Sequence, residues 1–339
     1  MTPAIFGLSG TALSADERAF FGDADPAGYI VFGRNVESRA QLRALTDSLR
    51  AIHGRERLLI SVDQEGGRVA RLKPPVWPDW PAGAAFDRLY DLAPISAIEA
   101  ARANAEALGQ DLSEVGITCT HAPVLDVRQH GAHDVIGDRA YGYEPLRVAA
   151  IGRAVLDGLA RAGVVGTIKH MPGHGRTHCD THKELPTVTA SEAELESDLA
   201  PFRALADAPI AMTGHLKFTA WDPEHPATQS PFIIAEIIRK RIGFGGLLLT
   251  DDLDMEALSG SVPERAEAAI AAGCDIALNC WGRMDDMIGI ARRLPAMGAD
   301  TTARLERALE TTRLDGAAGN QAELIAKRDA LLGLVGAQA

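Results

Sequence analysis

The chain carries only four cysteines in 339 residues, Cys119, Cys179, Cys274 and Cys280, and no two form a C-x-x-C pair. At that density a disulfide framework is excluded, and a reducing cytoplasm is the expected compartment. No apolar run approaches the roughly 20 residues needed to span a bilayer, so no membrane association is expected. The opening residues Met1–Gly10 lack a basic segment followed by a long apolar stretch, and no signal peptide is read there. Positive charge is also scarce. Lys and Arg number 34 against 46 Asp and Glu, a net charge of −12, which argues against a nucleic-acid-binding surface. There is no G-x-G-x-x-G after the first apolar run and no P-loop anywhere, which removes the two common phosphate cradles. Internal repeats and low-complexity tracts are absent too.

What is present is an alternation. Short apolar runs, rich in Val, Ile and Leu and without polar alternation, occupy Ala4–Leu8, Gly28–Phe32, Leu58–Asp63, Ile117–Asp126, Val164–His170, Ile210–His215, Gly246–Asp251 and Asp275–Asn279. Such runs are expected of parallel strands covered on both faces. Between them lie amphipathic segments with legible ends. Ser38–His53 has helical apolar spacing. Ser96–Val115 stops at Gly116 and Tyr143–Ala162 at Gly163. Ser191 and Glu194 form a capping-box pattern before a helix to Asp207. Ser230-Pro231 opens a helix over Phe232–Ile242, and Pro263–Ala272 ends at Gly273.

Eight strands alternating with helices predict a (β/α)8 barrel of the TIM type, with an open doubly wound sheet as the alternative. One domain is expected over residues 1–339, with the barrel from about 4 to 295. Two C-terminal helices, about 300–336 with a turn at Gly316–Gly319, are expected to cap it.

In such a barrel the C-terminal ends of the strands converge on one face. Reading those ends gives Asp63, Asp126, Lys169 with His170, His215, and Asp251 with Asp252. Charged groups there are hard to explain as core, because burying one unpaired carboxylate costs several kcal/mol. Singly, Asp126 or Asp252 could cap a following element, and His215 could be a satisfied core histidine. The densest stretch follows Lys169. It contains His170, His174, His178 and His182 among Pro172, Gly173 and Gly175, and Asp180 two residues before His182. A carboxylate in that position can fix an imidazole tautomer and make it a proton donor and acceptor. Four histidines at four-residue spacing would line one face of a helix and invite zinc. The interrupting Pro and Gly residues argue against a continuous helix, so no metal is expected.

Taken in order, Asp63-Gln64-Glu65-Gly66-Gly67-Arg68-Val69-Ala70-Arg71, Lys169-His170-Met171-Pro172-Gly173-His174-Gly175, Asp180-Thr181-His182-Lys183-Glu184-Leu185-Pro186 and Thr250-Asp251-Asp252-Leu253 closely resemble the bacterial β-N-acetylglucosaminidases of glycoside hydrolase family three. Met212-Thr213 before His215, and Pro226-Ala227-Thr228 with Ser230, fit the same family, so the resemblance runs from about Gly28 to Cys280.

The resemblance implies a retaining hydrolase that removes terminal β-linked N-acetylglucosamine from 1,6-anhydro-N-acetylmuramic acid, with or without a stem peptide, in cytoplasmic peptidoglycan recycling. It implies Asp251 as nucleophile, His182 as acid/base and Asp180 as its partner. Asp63, Arg71, Arg139, Lys169 and His170 would hold the sugar. No cofactor is expected, the partner is the saccharide or muropeptide itself, and the chain is expected to be a monomer. The sequence departs from the family in two places: Arg176 stands where an acidic residue is common, and Asp254 where Ser is common.

Alternatives kept open are a phosphorylase or a β-glucosidase of the same family, a metal-dependent amidohydrolase barrel, and a non-catalytic sugar-binding barrel.

Overall fold

The computed structural model describes residues 1–178, 184–313 and 320–336. Eleven strands are present among them: β1 (Thr2–Gly7), β2 (Pro26–Val31), β3 (Leu59–Val62), β4 (Cys119–Thr120), β5 (Val165–Met171), β6 (Thr187–Val188), β7 (Ile210–Thr213), β8 (Lys217–Phe218), β9 (Asp222–Pro226), β10 (Leu247–Asp252) and β11 (Ile276–Asn279). Eight of them close a barrel in the order β1-β2-β3-β4-β5-β7-β10-β11, and β11 returns to β1. Every neighbouring pair in it is parallel. The chain therefore forms a (β/α)8 barrel, and the open doubly wound sheet is excluded by closure.

All eight expected strands are present. The fourth is shortened from Ile117–Asp126 to two residues. Pro123 has no N–H to give the ladder, so regular pairing stops before it and only a bridge between Val124 and Lys169 continues. The apolar runs lack polar alternation because both strand faces are buried. Ile5, Leu247, Leu249, Ile276 and Leu278 point into the barrel. Ala4, Phe6, Leu248 and Ala277 point out against the helices. Each fully buried Leu or Ile contributes about 1.5–3 kcal/mol.

The helices after the strands begin where their caps place them. Ser38 accepts from the Gln41 N–H at the start of Arg39–His53. Ser191 and Glu194 form a reciprocal box ahead of Glu192–Ala204. The helix Pro94–Glu114 buries a stripe of alanines between its neighbours. Four features went unread in the sequence: the helices Ala15–Ala24, Gly83–Leu92 and Met284–Arg293, and the small sheet β6-β8-β9. The first of these has its own capping box of Ser14 and Glu17, a signal that was available.

At the C-terminus, the helix Ala299–Leu309 inserts Leu305, Ala308 and Leu309 into the interior cluster and closes the N-terminal mouth of the barrel. The helix Gln321–Gly336 lies along Pro94–Glu114, where Arg328 reaches the Asn104 side chain. The expected turn at Gly316–Gly319 lies outside the described residues. None of the described helices is long and apolar enough to cross a membrane.

Candidate active site

The C-terminal mouth of the barrel opens into a pocket of about 370 Å³ lined by side chains from strand ends around the ring. That size lies within the range of small-molecule sites. Phe32 enters after β2, Asp63 and Glu65 after β3, His121 after β4, Lys169 and His170 from β5, Met212 from β7, Asp251 and Asp252 from β10, and Cys280 after β11. Seven strand ends meeting on one face put residues far apart in sequence within hydrogen-bonding reach.

One wall is a lattice of paired charges. Glu65 accepts from Arg139 Nε and Nη2, both at 2.8 Å, in a two-point grip. Its Oε1 lies 2.6 Å from Lys169 Nζ. Burial pushes the Glu65 carboxyl up, but Arg139 and Lys169 outweigh it and bring it down to about 2. Asp63 accepts from Arg71 Nη2 at 2.9 Å, and its Oδ1 lies 3.2 Å from His121 Nδ1 and 3.5 Å from Lys169 Nζ. Burial again opposes ionisation, and Lys169, His121 and Arg71 together hold this carboxyl well below the usual range. Arg71 also lies over the Phe32 ring. The lattice fixes Lys169 and Arg71 as rigid donors at the pocket edge and Asp63 as an acceptor, the complement of a ring of sugar hydroxyls.

A second group lies beneath. Asp126 is fully buried, and its Oδ2 accepts from His170 Nδ1 at 2.7 Å. Its Oδ1 accepts from the N–H groups of His170 at 3.1 Å and His174 at 2.7 Å. Burial raises this carboxyl, but the two histidines more than compensate and bring it to about 2. Asp126 is thus no helix cap. It sets the His170 ring and the start of the loop after β5. His174 is driven down to about 4, by burial first and then by His170, and is neutral at pH 7.

The third group is the end of β10. Asp251 accepts the N–H of Asp252 at 2.8 Å and forms no ion pair among the described residues. Burial raises its carboxyl, yet His170, His215, that N–H and Lys169 hold it below the ordinary value. Asp252 is moved the other way. Burial, and then the Asp254 carboxylate, push it well above the usual range. Adjacent carboxyls are therefore shifted in opposite directions, Asp251 toward the ionised form and Asp252 toward the protonated form. Asp252 Oδ1 accepts from the N–H groups of Asp254 and Cys280, which makes it the cap of this turn. His215 is fully buried and satisfied at both ring nitrogens, by Thr228 Oγ1 at 2.8 Å and the Asp252 carbonyl at 2.9 Å. It is the core histidine of the two readings open from sequence, and it buttresses the Asp251 turn.

Of the residues singled out in the sequence, Asp63, Arg71, Arg139, Lys169, His170 and Asp251 all line this one pocket. Asp180 and His182 lie outside the described residues. Sequence reading missed Glu65 and His121. Glu65 sits inside a quoted motif, but its partner Arg139 is far along the chain, so its role shows only on folding. Arg139 is committed to Glu65 and to the Val135 carbonyl, which makes its hold on the pocket wall the most evident of its contacts. Of the histidines at four-residue spacing, His170, His174 and His178 are not on a helix, and His182 lies outside the described residues. Among the described residues, no group of three His, Cys, Asp or Glu side chains is arranged to hold a metal ion.

Residues 7–311 match the glycosyl hydrolase family 3 N-terminal domain. A β-hexosaminidase from Alkalilimnicola ehrlichii is 39% identical over 310 residues, covering 90% of this chain and 88% of that protein. One from Tolumonas auensis is 36% identical, covering 93% and 92%. Among solved structures, NagZ from Neisseria gonorrhoeae in complex with N-trifluoroacetyl-D-glucosamine superposes with a TM-score of 0.88 at 31% identity, over 98% of both chains. A family 3 β-N-acetylglucosaminidase from Paenibacillus superposes with a TM-score of 0.86 at 31% identity, over 97% of this chain and 67% of that one. Together with the closed barrel and the carboxylate-lined pocket at its C-terminal mouth, these matches establish that the chain belongs to glycosyl hydrolase family 3 and is a glycoside hydrolase of the β-hexosaminidase type.

Proposed function

We propose that this chain is a retaining exo-β-N-acetylglucosaminidase that works through a covalent glycosyl-enzyme on Asp251. The observation that carries the reading is the state of Asp251. It is held in the ionised form and makes no ion pair among the described residues, whereas Asp63, Glu65 and Asp126 are each occupied by Arg, Lys or His. A nucleophile must keep a lone pair available, and a strand end fixes its direction of attack. In the first step an Asp251 oxygen bonds to the anomeric carbon as the glycosidic C–O bond breaks, and His182 gives its proton to the departing oxygen. In the second, His182 takes a proton from water, which attacks the same carbon and releases Asp251. Asp180 would hold the His182 imidazole by its other nitrogen. Asp63, Arg71, Arg139, Lys169 and His170 would grip the sugar.

The solved relative that binds an N-acylated glucosamine supports a GlcNAc-type sugar. The resemblance of the motifs supports fragments of GlcNAc and 1,6-anhydro-N-acetylmuramic acid, with or without a peptide, as substrates of a cytoplasmic monomer. The test is turnover of a chromogenic β-N-acetylglucosaminide beside the matching β-glucoside, each with and without inorganic phosphate. Hydrolysis of the first alone is expected. Preference for the glucoside overturns the sugar assignment, and a glycosyl phosphate product makes the enzyme a phosphorylase.

A further inference from the structure

The segment that follows β5 is held hard at its start. The His174 N–H donates to Asp126, and the Thr177 carbonyl accepts the His133 N–H at 2.7 Å. Gly175 passes so close to the chain after β4 that a Cβ there would lie 1.9 Å from the Val127 carbonyl oxygen, so only glycine fits. The far end is also tied, because Pro186 accepts the Lys217 N–H and β6 pairs with β8. These ties join the segment to the barrel and to its own small sheet.

A further tie at the start is Arg176. Its Nε donates to Asp198 Oδ2 at 2.5 Å, and its Nη2 donates to the Glu194 carbonyl at 2.9 Å and to Ser197 Oγ at 3.1 Å. All three acceptors are on the helix Glu192–Ala204, which packs beside β5. Asp198 is only 3% exposed, and its Oδ1 makes no hydrogen bond. An acidic side chain at position 176 would face this buried carboxylate and repel it.

We propose that Arg176, through its ion pair with Asp198, is a positioning residue that fixes the chain just ahead of Asp180 and His182. The proposal rests on the reading of His182 as acid/base for its catalytic consequence, and on the geometry above for the anchoring itself. A three-point guanidinium contact to one helix sets both the direction and the twist of the chain leaving Thr177. A proton donor misplaced by about an ångström loses much of its effect, and a general acid is worth about 10²–10⁴-fold. Loosening the tie should therefore cost rate where a proton must be delivered and little where it need not be. A structural role alone would lower both rates together.

The experiment uses the full chain. Arg176→Gln, Arg176→Lys, the double variant Arg176→Met with Asp198→Leu, and His182→Ala as reference are assayed on an alkyl and a 4-nitrophenyl β-N-acetylglucosaminide. Amide hydrogen exchange is followed over residues 174–188. For Arg176→Gln, kcat on the alkyl glycoside should fall by about 30-fold or more, while release of the first 4-nitrophenolate falls about threefold at most. Exchange in 174–188 should speed up by at least about tenfold, with the rest of the barrel unchanged. Arg176→Lys should recover part of each effect. The double variant leaves no orphaned charge, so it should fold even if Arg176→Gln does not, and it should keep the leaving-group-dependent loss. Unchanged exchange in a folded variant, or equal losses on both substrates, overturns the proposal. If His182→Ala itself shows no dependence on the leaving group, the acid/base reading falls, and the exchange result alone then upholds or overturns the anchor.

Discussion

At the N-terminal mouth of the barrel, Asp275 accepts hydrogen bonds from Arg239, Arg304, Thr301 and the Leu248 N–H. At the C-terminal mouth, Asp251 accepts one among the described residues, from the next residue's N–H. Both carboxylates sit at an end of a strand region and both are withdrawn from bulk water. The first has every lone pair answered and two guanidinium groups beside it. The second is held below its ordinary range by His170, His215 and Lys169, none of which is ion-paired with it, and by the one N–H it accepts. A fully answered carboxylate holds elements together: Asp275 links the helix Ile233–Ile242, the last barrel strands and the helix Ala299–Leu309. A carboxylate left open is available to a ligand. The plug at one mouth and the pocket at the other follow from the same distinction. Leu305 and Leu309 fill the first, whereas the second stays open between charged side chains and apolar ones such as Phe32, Met212 and Leu278.

The strongest way to break this contrast is at Asp251. Asp251→Ala should lower turnover of β-N-acetylglucosaminides by at least about 10³-fold with the fold intact by circular dichroism. A folded variant keeping more than about a tenth of the activity would move the nucleophile elsewhere. The mirror experiment is Asp275→Ala. Removing one side of a buried charge network should cost about 3–5 kcal/mol of stability in urea unfolding while leaving kcat of the folded enzyme alone. A loss of kcat with unchanged stability would show that the two mouths are not divided as described.

Next in size are the donors of the pocket wall. Lys169→Ala or Arg71→Ala should lower kcat/KM by about 10²-fold, with kcat falling as well as KM rising, because contacts to the sugar orient the reacting carbon. Unchanged kcat/KM would remove that side chain from the sugar subsite.

The smallest effect is a pH dependence. Glu65 and Asp126 have carboxyls lowered to about 2 in the folded chain. In the unfolded chain such groups titrate near pH 4. The stability they add is therefore fully present above about pH 4 and is lost as pH falls toward 2, by roughly 2–3 kcal/mol for each group. Glu65→Gln should flatten this acid limb. An unfolding midpoint with the same pH dependence in wild type and variant would show that the pairing of Glu65 with Arg139 and Lys169 adds nothing net.

The sequence was most legible where one residue type carries a local signal. The strand ends at Asp63, Lys169, His170 and Asp251 could be read because charge abruptly follows an apolar run. The helix from Arg39 could be read from its Ser38 cap and its spacing. The two-residue strands β6 and β8 could not, because a period of two needs more length to show. Glu65 was illegible as the partner of Arg139 because 74 residues separate them and nothing local couples the two. For the same reason Asp126 and His215 stayed ambiguous between cap, core and site until their partners were visible.

By itself the sequence determined the number and order of the barrel strands, several of the caps that start the helices, and the charged residues at the strand ends. These depend on neighbours one to four positions away, through periodicity, capping and backbone geometry. Only the tertiary structure decided which of those charges are spent on one another. Closing the barrel brings Glu65 to Arg139 and Lys169, Asp126 to His170, and Arg176 to Asp198, while Asp251 has no ion-pair partner among the described residues. The state of a buried carboxylate is set by desolvation and by charges within a few ångströms, and those distances do not exist until the chain has folded.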